Sequence, residues 1–250
     1  MTQRRRSEEV RLAVMLLTRL PAGRLANPAP SLAQARWAFP LIGLPVGALT
    51  WAAQAGGLAI GLDPLVAALA ALAAAALVTG ALHLDGLADF ADGIGGGRDR
   101  GHCLEIMRDS RIGSYGVLAL IFAVALAAGA LASFGHAAPL PVFLFTATAS
   151  RLAMLVLLDR LPPARSDGLG RRAAGAAPGG WVPGAAVTLG LAIWAGPGTG
   201  AALLAVAAVA ILVARLALRR IGGQTGDVLG AAQVLTETAA ILTLSACLPA

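Results

Sequence analysis

Seven apolar runs, at about 40–61, 64–82, 115–134, 139–158, 182–196, 200–218 and 228–248, decide what this chain can become. Most approach the roughly 20 apolar residues that a helix needs to cross a bilayer core. In lipid a backbone satisfies its own amides and carbonyls only in helices or closed barrels, and these runs are continuous rather than alternating. The expected fold class is therefore all-α: one polytopic integral membrane helical bundle over residues 1–250, with about six to seven transmembrane helices. Only 13% of residues are charged, against about 25% in a soluble domain, so no separate soluble unit is left over. The run at 182–196 is the weakest, being short and flanked by Gly179, Gly180, Pro183, Gly196 and Pro197. With its successor it reads as two spans or as a re-entrant pair.

The charges mark topology before anything else. All 19 basic residues are Arg, and they cluster between the apolar runs, which argues against a nucleic-acid surface. With the Arg-rich N-terminus in the cytoplasm, segments 83–114, 159–181 and 219–227 are cytoplasmic too, and the opposite loops near 62–63, 135–138 and 197–199 carry no Arg. Segment 1–36 is cytoplasmic or interfacial: Val10, Leu12, Val14, Met15 and Leu17 give a partly amphipathic helix suited to the membrane surface. Its apolar stretch is short and broken by Arg19, unlike a signal peptide. Cys103 and Cys247 have no metal-ligand spacing and support neither a disulfide framework nor zinc. Gly43, Gly47 and Gly56 are candidate points of close helix approach. A homo-oligomer is allowed by the sequence and not demanded by it.

Against this background stands "HLDGLADFADG", residues 83–93. On a helix Asp85, Asp89 and Asp92 fall at i, i+4 and i+7 on one face, where three carboxylates repel unless a cation, a proton or solvent intervenes. The bland reading is a solvated acidic start to a loop; the sharper one is a site for a hard cation. Magnesium suits it, because Mg²⁺ takes a few carboxylates together with substrate phosphates and waters. His83 beside the span is structural or touches substrate or metal. Downstream, Arg108 and Arg111 offer two forks for phosphate oxygens, or else pair with Asp109 and Glu105. In the Gly-rich polar motif at 219–237, Gly222, Gly223 and Gly226 surround Thr225 and Asp227 and can expose backbone donors to an anion. Gln233 and Glu237 follow at i, i+4 inside an apolar run; an ionised Glu there belongs in the bundle interior, near water, a partner or substrate. Arg151, inside the fourth span, is its candidate partner or a phosphate ligand, snorkelling being the alternative. Acidic ligands, Arg forks and a Gly-rich loop on one membrane face are the parts for transferring a phosphate-containing group.

"HLDGLADFADG", followed by "LEIMRDSRIGSYGVLAL" and then "GGQTGDVLGA", resembles the cobalamin synthase family, the adenosylcobinamide-GDP ribazoletransferases. The resemblance covers the order and spacing of motifs over most of the chain. It implies a magnesium-dependent enzyme of the prokaryotic cytoplasmic (inner) membrane, multi-pass, acting on adenosylcobinamide-GDP and α-ribazole or its phosphate and releasing GMP. On that reading Asp85, Asp89 and Asp92 hold Mg²⁺, and Asp92, Asp227 and Glu237 are candidate catalytic carboxylates. His83, Arg108, Arg111, Arg151, Thr225 and Gln233 are candidate substrate-binding residues, and membrane lipid is the surrounding partner. Gln224 stands where many relatives are expected to carry an aromatic residue. Two other readings compete. In a CDP-alcohol phosphotransferase the "DGLAD" pair would be followed by Arg where Asp89 stands, and a cation-coupled secondary transporter would need access from both faces, whereas these motifs gather on one.

Overall fold

In the computed structural model of the chain, residues 3–135, 139–175 and 180–247 are described. Parts of four sequence expectations lie outside them: residues 1–2 of the N-terminal segment, 136–138 of one loop, 176–179 of another (Gly179 included), and 248 at the end of the last run. The described residues form helices α1 Gln3–Leu17, α2 Leu32–Ala35, α3 Gly43–Ala59, α4 Pro64–Thr79, α5 Leu82–Gly96, α6 Arg100–Ile106 and α7 Ser114–Ser133. They continue with α8 Leu140–Arg160, α9 Gly168–Ala173, α10 Val182–Ala195, α11 Thr199–Ile221 and α12 Gly226–Cys247. No strand occurs among them; one isolated bridge joins Pro163 to Gln224.

All seven apolar runs are helical, but they do not make seven spans. Among the described residues, five helices are long and apolar enough to cross a membrane: Pro40–Ala59 with its opening 3₁₀ turn, α7, α8, α11 and α12. A sixth arises only if α4 and α5 are joined, and these are bent by 93°. The expectation of six to seven thus becomes five to six. The run at 182–196 yields only the 14-residue α10, which packs against α8 much more than against α11.

The α4–α5 bend has a local cause. Asp63 caps α4 by accepting from Leu65 N at 2.9 Å, Pro64 opens the helix, and Gly80 closes it in the left-handed conformation at φ 62°. Ala81 follows at φ 56°, a conformation that costs a residue with a Cβ and persists where the surroundings impose it. The Arg19 amide donates to Val78 O, and the Arg19 side chain packs where a Gly80 Cβ would stand. α5 consequently leaves the span sideways and crosses the first turns of α12.

The bundle is organised around α8, which packs on α3, α10, α11 and α12 and is largely buried. Small residues set its approach to α3. A Cβ on Gly43 would stand 2.6 Å from the Ala147 carbonyl carbon, and one on Gly47 would stand 2.5 Å from Phe143 O. Gly56, in contrast, faces open space. The N-terminal segment docks on the bundle rather than lying only at the surface. Ala13 and Leu17 are buried, and Glu9 accepts from the Trp37 indole at 2.7 Å. Arg36, also buried, pairs with Asp159 at 2.8 Å and donates to Ala173 O, tying this segment to the ends of α8 and α9.

Gly47→Val is expected to lower stability by at least about 1–3 kcal/mol, since the new side chain meets backbone that cannot move aside. Gly56→Ala should be neutral. Unfolding in detergent followed by tryptophan fluorescence measures both.

Candidate active site

The crossing of α5 over α12 builds the site. A Cβ on Gly86 would lie 3.2 Å from the Asp227 and Gly230 Cα atoms, and a Cβ on Gly230 would lie 3.1 Å from His83 O. With no side chain at either position the two helices meet backbone to backbone. Asp85, one residue before Gly86, and Asp227, at the start of α12, then line one cavity of about 270 Å³ at the end of the bundle, with His83, Gly170 and Met154. Asp227 also lines a second, more polar cavity of about 210 Å³ with Arg165, Asp167, Arg171 and Thr225.

Asp227 is positioned by its neighbours. The Thr225 hydroxyl accepts from Val228 N at 3.3 Å, capping α12, and donates to the Asp227 carboxylate at 3.1 Å. The loop before it is held by Gln224, which is buried: its amide donates to Pro162 O, its carbonyl accepts from Ala164 N, and its side chain donates to Gly170 O. Arg165, carried by the clamped loop, approaches Asp227 to 3.5 Å and donates to Leu104 O, while its Nε is buried without a partner.

Asp89 sits between these charges. Partial burial, then Asp85, Asp227 and Asp92 in that order, push its carboxyl up to about 6, with Arg165 opposing. Asp85, Asp227 and Asp92 thus act on Asp89, and a cation would relieve their repulsion. Among the described residues no three His, Cys, Asp or Glu side chains converge closely enough to hold a metal ion as they stand. The donors at hand are all carboxylate oxygens, which suit a hard cation and not zinc.

Asp92 has a different set of partners from its stripe-mates. Its two carboxylate oxygens accept from Gly113 N at 2.7 Å and Gly116 N at 2.8 Å, at the start of α7. A buried carboxylate on the free amides of a helix N-terminus is a cap, favoured by the helix dipole as well. Neither Arg108 nor Arg111 is among the residues that line the two cavities of Asp227, although Arg108's partner Asp167 lines the more polar one. Arg108 forms a two-pronged pair with Asp167 at 2.7 and 2.9 Å, and Arg111 folds onto Asp109 at 2.6 Å, holding that exposed carboxyl down at about 2. Their sequence alternative, pairing with acids, is realised for Arg111 with Asp109.

Arg151, Gln233 and Glu237 meet deeper in the bundle. Glu237 faces inward, 3.9 Å from buried Arg151, within 3.5 Å of the Ser150 hydroxyl and in short contact with Gln233, which also donates to Ser150 at 3.1 Å. Arg151 therefore does not snorkel. Sequence reasoning singled out every member of this cluster except Ser150, and missed Arg165, whose position between Pro163 and Gly168 carries no distinguishing mark among so many arginines.

A polytopic helical membrane protein with an acidic cleft between a bent half-helix and a Gly-rich helix start defines the class. The family model for cobalamin-5-phosphate synthase matches residues 9–245, and the chain belongs to that family. Curated relatives named adenosylcobinamide-GDP ribazoletransferase align along nearly their whole length. One from Bradyrhizobium diazoefficiens is 45% identical over 95% of this chain and 93% of its own. Another from Azorhizobium caulinodans is 45% identical over 94% of each, and one from Rhizobium etli is 44% identical over 84% of this chain and 85% of its own. No solved structure matches. The chain is accordingly an enzyme of cobalamin biosynthesis.

Asp92→Ala is expected to destabilise the protein by about 1–2 kcal/mol through loss of the α7 cap. Asp85→Asn should leave stability within about 0.5 kcal/mol of wild type. Equilibrium unfolding of the purified variants distinguishes a cap from a ligand.

Proposed function

We propose that the chain transfers the adenosylcobinamide phosphate moiety of adenosylcobinamide-GDP to a free ribose hydroxyl of α-ribazole, or of α-ribazole 5′-phosphate, with release of GMP, in a Mg²⁺-dependent reaction. The observation that carries this reading is the pair Asp85 and Asp227, delivered from two helices into one cavity with Asp89 beside them. The relatives' name supplies the substrate class.

In this mechanism Asp85, Asp89 and Asp227, drawn closer together than they stand, would hold a cation that would neutralise the diphosphate and stabilise the departing phosphate oxygen. Arg165, with a free Nε and a loose 3.5 Å contact to Asp227, turns its fork onto a diphosphate oxygen. It takes the phosphate role that the sequence suggested for Arg108 and Arg111. The acceptor ribose oxygen attacks the cobinamide-linked phosphorus. Its bond to phosphorus forms as the bond to the GMP oxygen breaks, and the hydroxyl proton passes to a carboxylate of the cleft. Thr225 orients Asp227 through its 3.1 Å hydrogen bond. Asp92 supports the cleft by fixing α7 against α5. The cleft faces the cytoplasm with the N-terminus, in a prokaryotic inner membrane, as the distribution of arginines favours.

Protein in nanodiscs, given adenosylcobinamide-GDP and α-ribazole, should release GMP only with Mg²⁺. Asp85→Asn and Asp227→Asn should each lose about 100-fold or more in kcat, and Arg165→Gln about 10–100-fold, with folding retained. Absence of GMP from folded wild type would overturn the reading.

A further inference from the structure

The outward face of α11 carries two arginines that the site does not use. Leu204, Ile211, Leu212 and Leu218 are exposed along this face, as suits a helix long and apolar enough to cross a membrane. Arg215 and Arg219 stand on it too, one turn apart, and both are exposed. Among the described residues neither makes a hydrogen bond or an ion pair, and α11 holds no Asp or Glu. Arg220, the next residue, faces inward instead: it donates to Ile94 O at 3.0 Å and to Gly97 O, at the end of α5. Arg219, in the last turn, suits the C-terminal end of the helix dipole, but Arg215 lies too far back to gain from it. About 20 residues cross a bilayer core, and counted from Thr199 they reach Leu218. Arg215 therefore starts inside the apolar length and Arg219 just beyond it. A Cβ leans toward the N-terminus of its helix, here the far side of the membrane, which shortens the reach of Arg215 toward open water. A charge so placed is costly unless an anion meets it near the membrane surface.

We propose that Arg215 and Arg219 form a docking site for the phosphate of an anionic phospholipid, in the leaflet on the carboxylate side of the bundle. This site holds whether or not the transferase reading does. Two guanidinium forks one turn apart grip one phosphodiester between them, and the exposed leucines of the same face lie along its acyl chains. Charge selects among the possible occupants. A zwitterionic lipid brings its own cation to the phosphate, and two arginines with no acid beside them repel it; a lipid with net negative charge meets no such penalty. A soluble phosphate has no apolar part to cover the leucines, and a second copy of this chain docked by the same face would set like charges together. A headgroup held here would steady the turn of α11 from which Arg220 grips the end of α5, the helix that carries Asp85 and Asp89.

Native mass spectrometry of protein released from nanodiscs tests the site, with phosphatidylglycerol and phosphatidylcholine of the same acyl chains in equal amounts. Wild type should retain phosphatidylglycerol in preference to phosphatidylcholine. Arg215→Gln and Arg219→Gln should each lower that preference about fivefold, and the double variant should lower it further. Arg98→Gln, an exposed arginine in the loop between α5 and α6, should retain lipid as wild type does. The variants are expected to fold, because neither side chain has a partner to lose, and unfolding in detergent checks this. Millimolar inorganic phosphate should leave the retained phosphatidylglycerol in place. Equal retention of the two lipids by wild type, an unchanged preference in both single variants, or an equal loss in Arg98→Gln would overturn the proposal. So would displacement of the lipid by inorganic phosphate, or a double variant that changes its oligomeric state while keeping its lipid.

Discussion

The backbone contact of Gly86 with Asp227 and Gly230 is the constraint on which the site depends. It lets α5 lie across the start of α12 so closely that carboxylates from distant parts of the sequence share one cleft. Two further features keep it there. The left-handed pair Gly80 and Ala81 turns the chain out of its span, and Asp92 pins the far side of α5 to the first amides of α7. Remove any of the three and the acidic stripe is a solvated helix face.

The charges are arranged in two tiers. Near the end of the bundle lie Asp85, Asp89, Asp227 and Arg165, partly accessible, with repulsion among the acids only partly offset by the one arginine. Deeper lie Arg151, Glu237, Gln233 and Ser150, grouped inside apolar surroundings where an isolated charge would be expensive, with Arg151 Nε left without a partner. His83 stands between them.

Much of this was legible in the sequence. Continuous apolar runs gave the helical membrane class, and the i, i+4, i+7 spacing of Asp85, Asp89 and Asp92 gave the stripe. The inward-facing Glu237 followed from the cost of a charge in lipid. What stayed hidden depended on contacts at long sequence separation. The same spacing serves a metal ligand and a helix cap, and only the return of Gly113 and Gly116 to Asp92 separates them. Ala81 has no propensity for its left-handed conformation, so the turn that ends the second span carried no mark beyond Gly80. Arg165 acquires meaning through the pairing of Pro162 and Ala164 with Gln224, some sixty residues along the chain.

The central claim is that Asp85, Asp89 and Asp227 form one divalent-cation site that faces the diphosphate. Electron-nuclear double resonance on Mn²⁺-loaded protein with adenosylcobinamide-GDP tests it most directly. The account predicts a ³¹P coupling to the bound Mn²⁺ in wild type, with Mn²⁺ affinity lost in Asp85→Asn and in Asp227→Asn but retained in Asp109→Asn. Wild-type Mn²⁺ affinity in the first two variants, or bound Mn²⁺ with no phosphorus beside it, would contradict it.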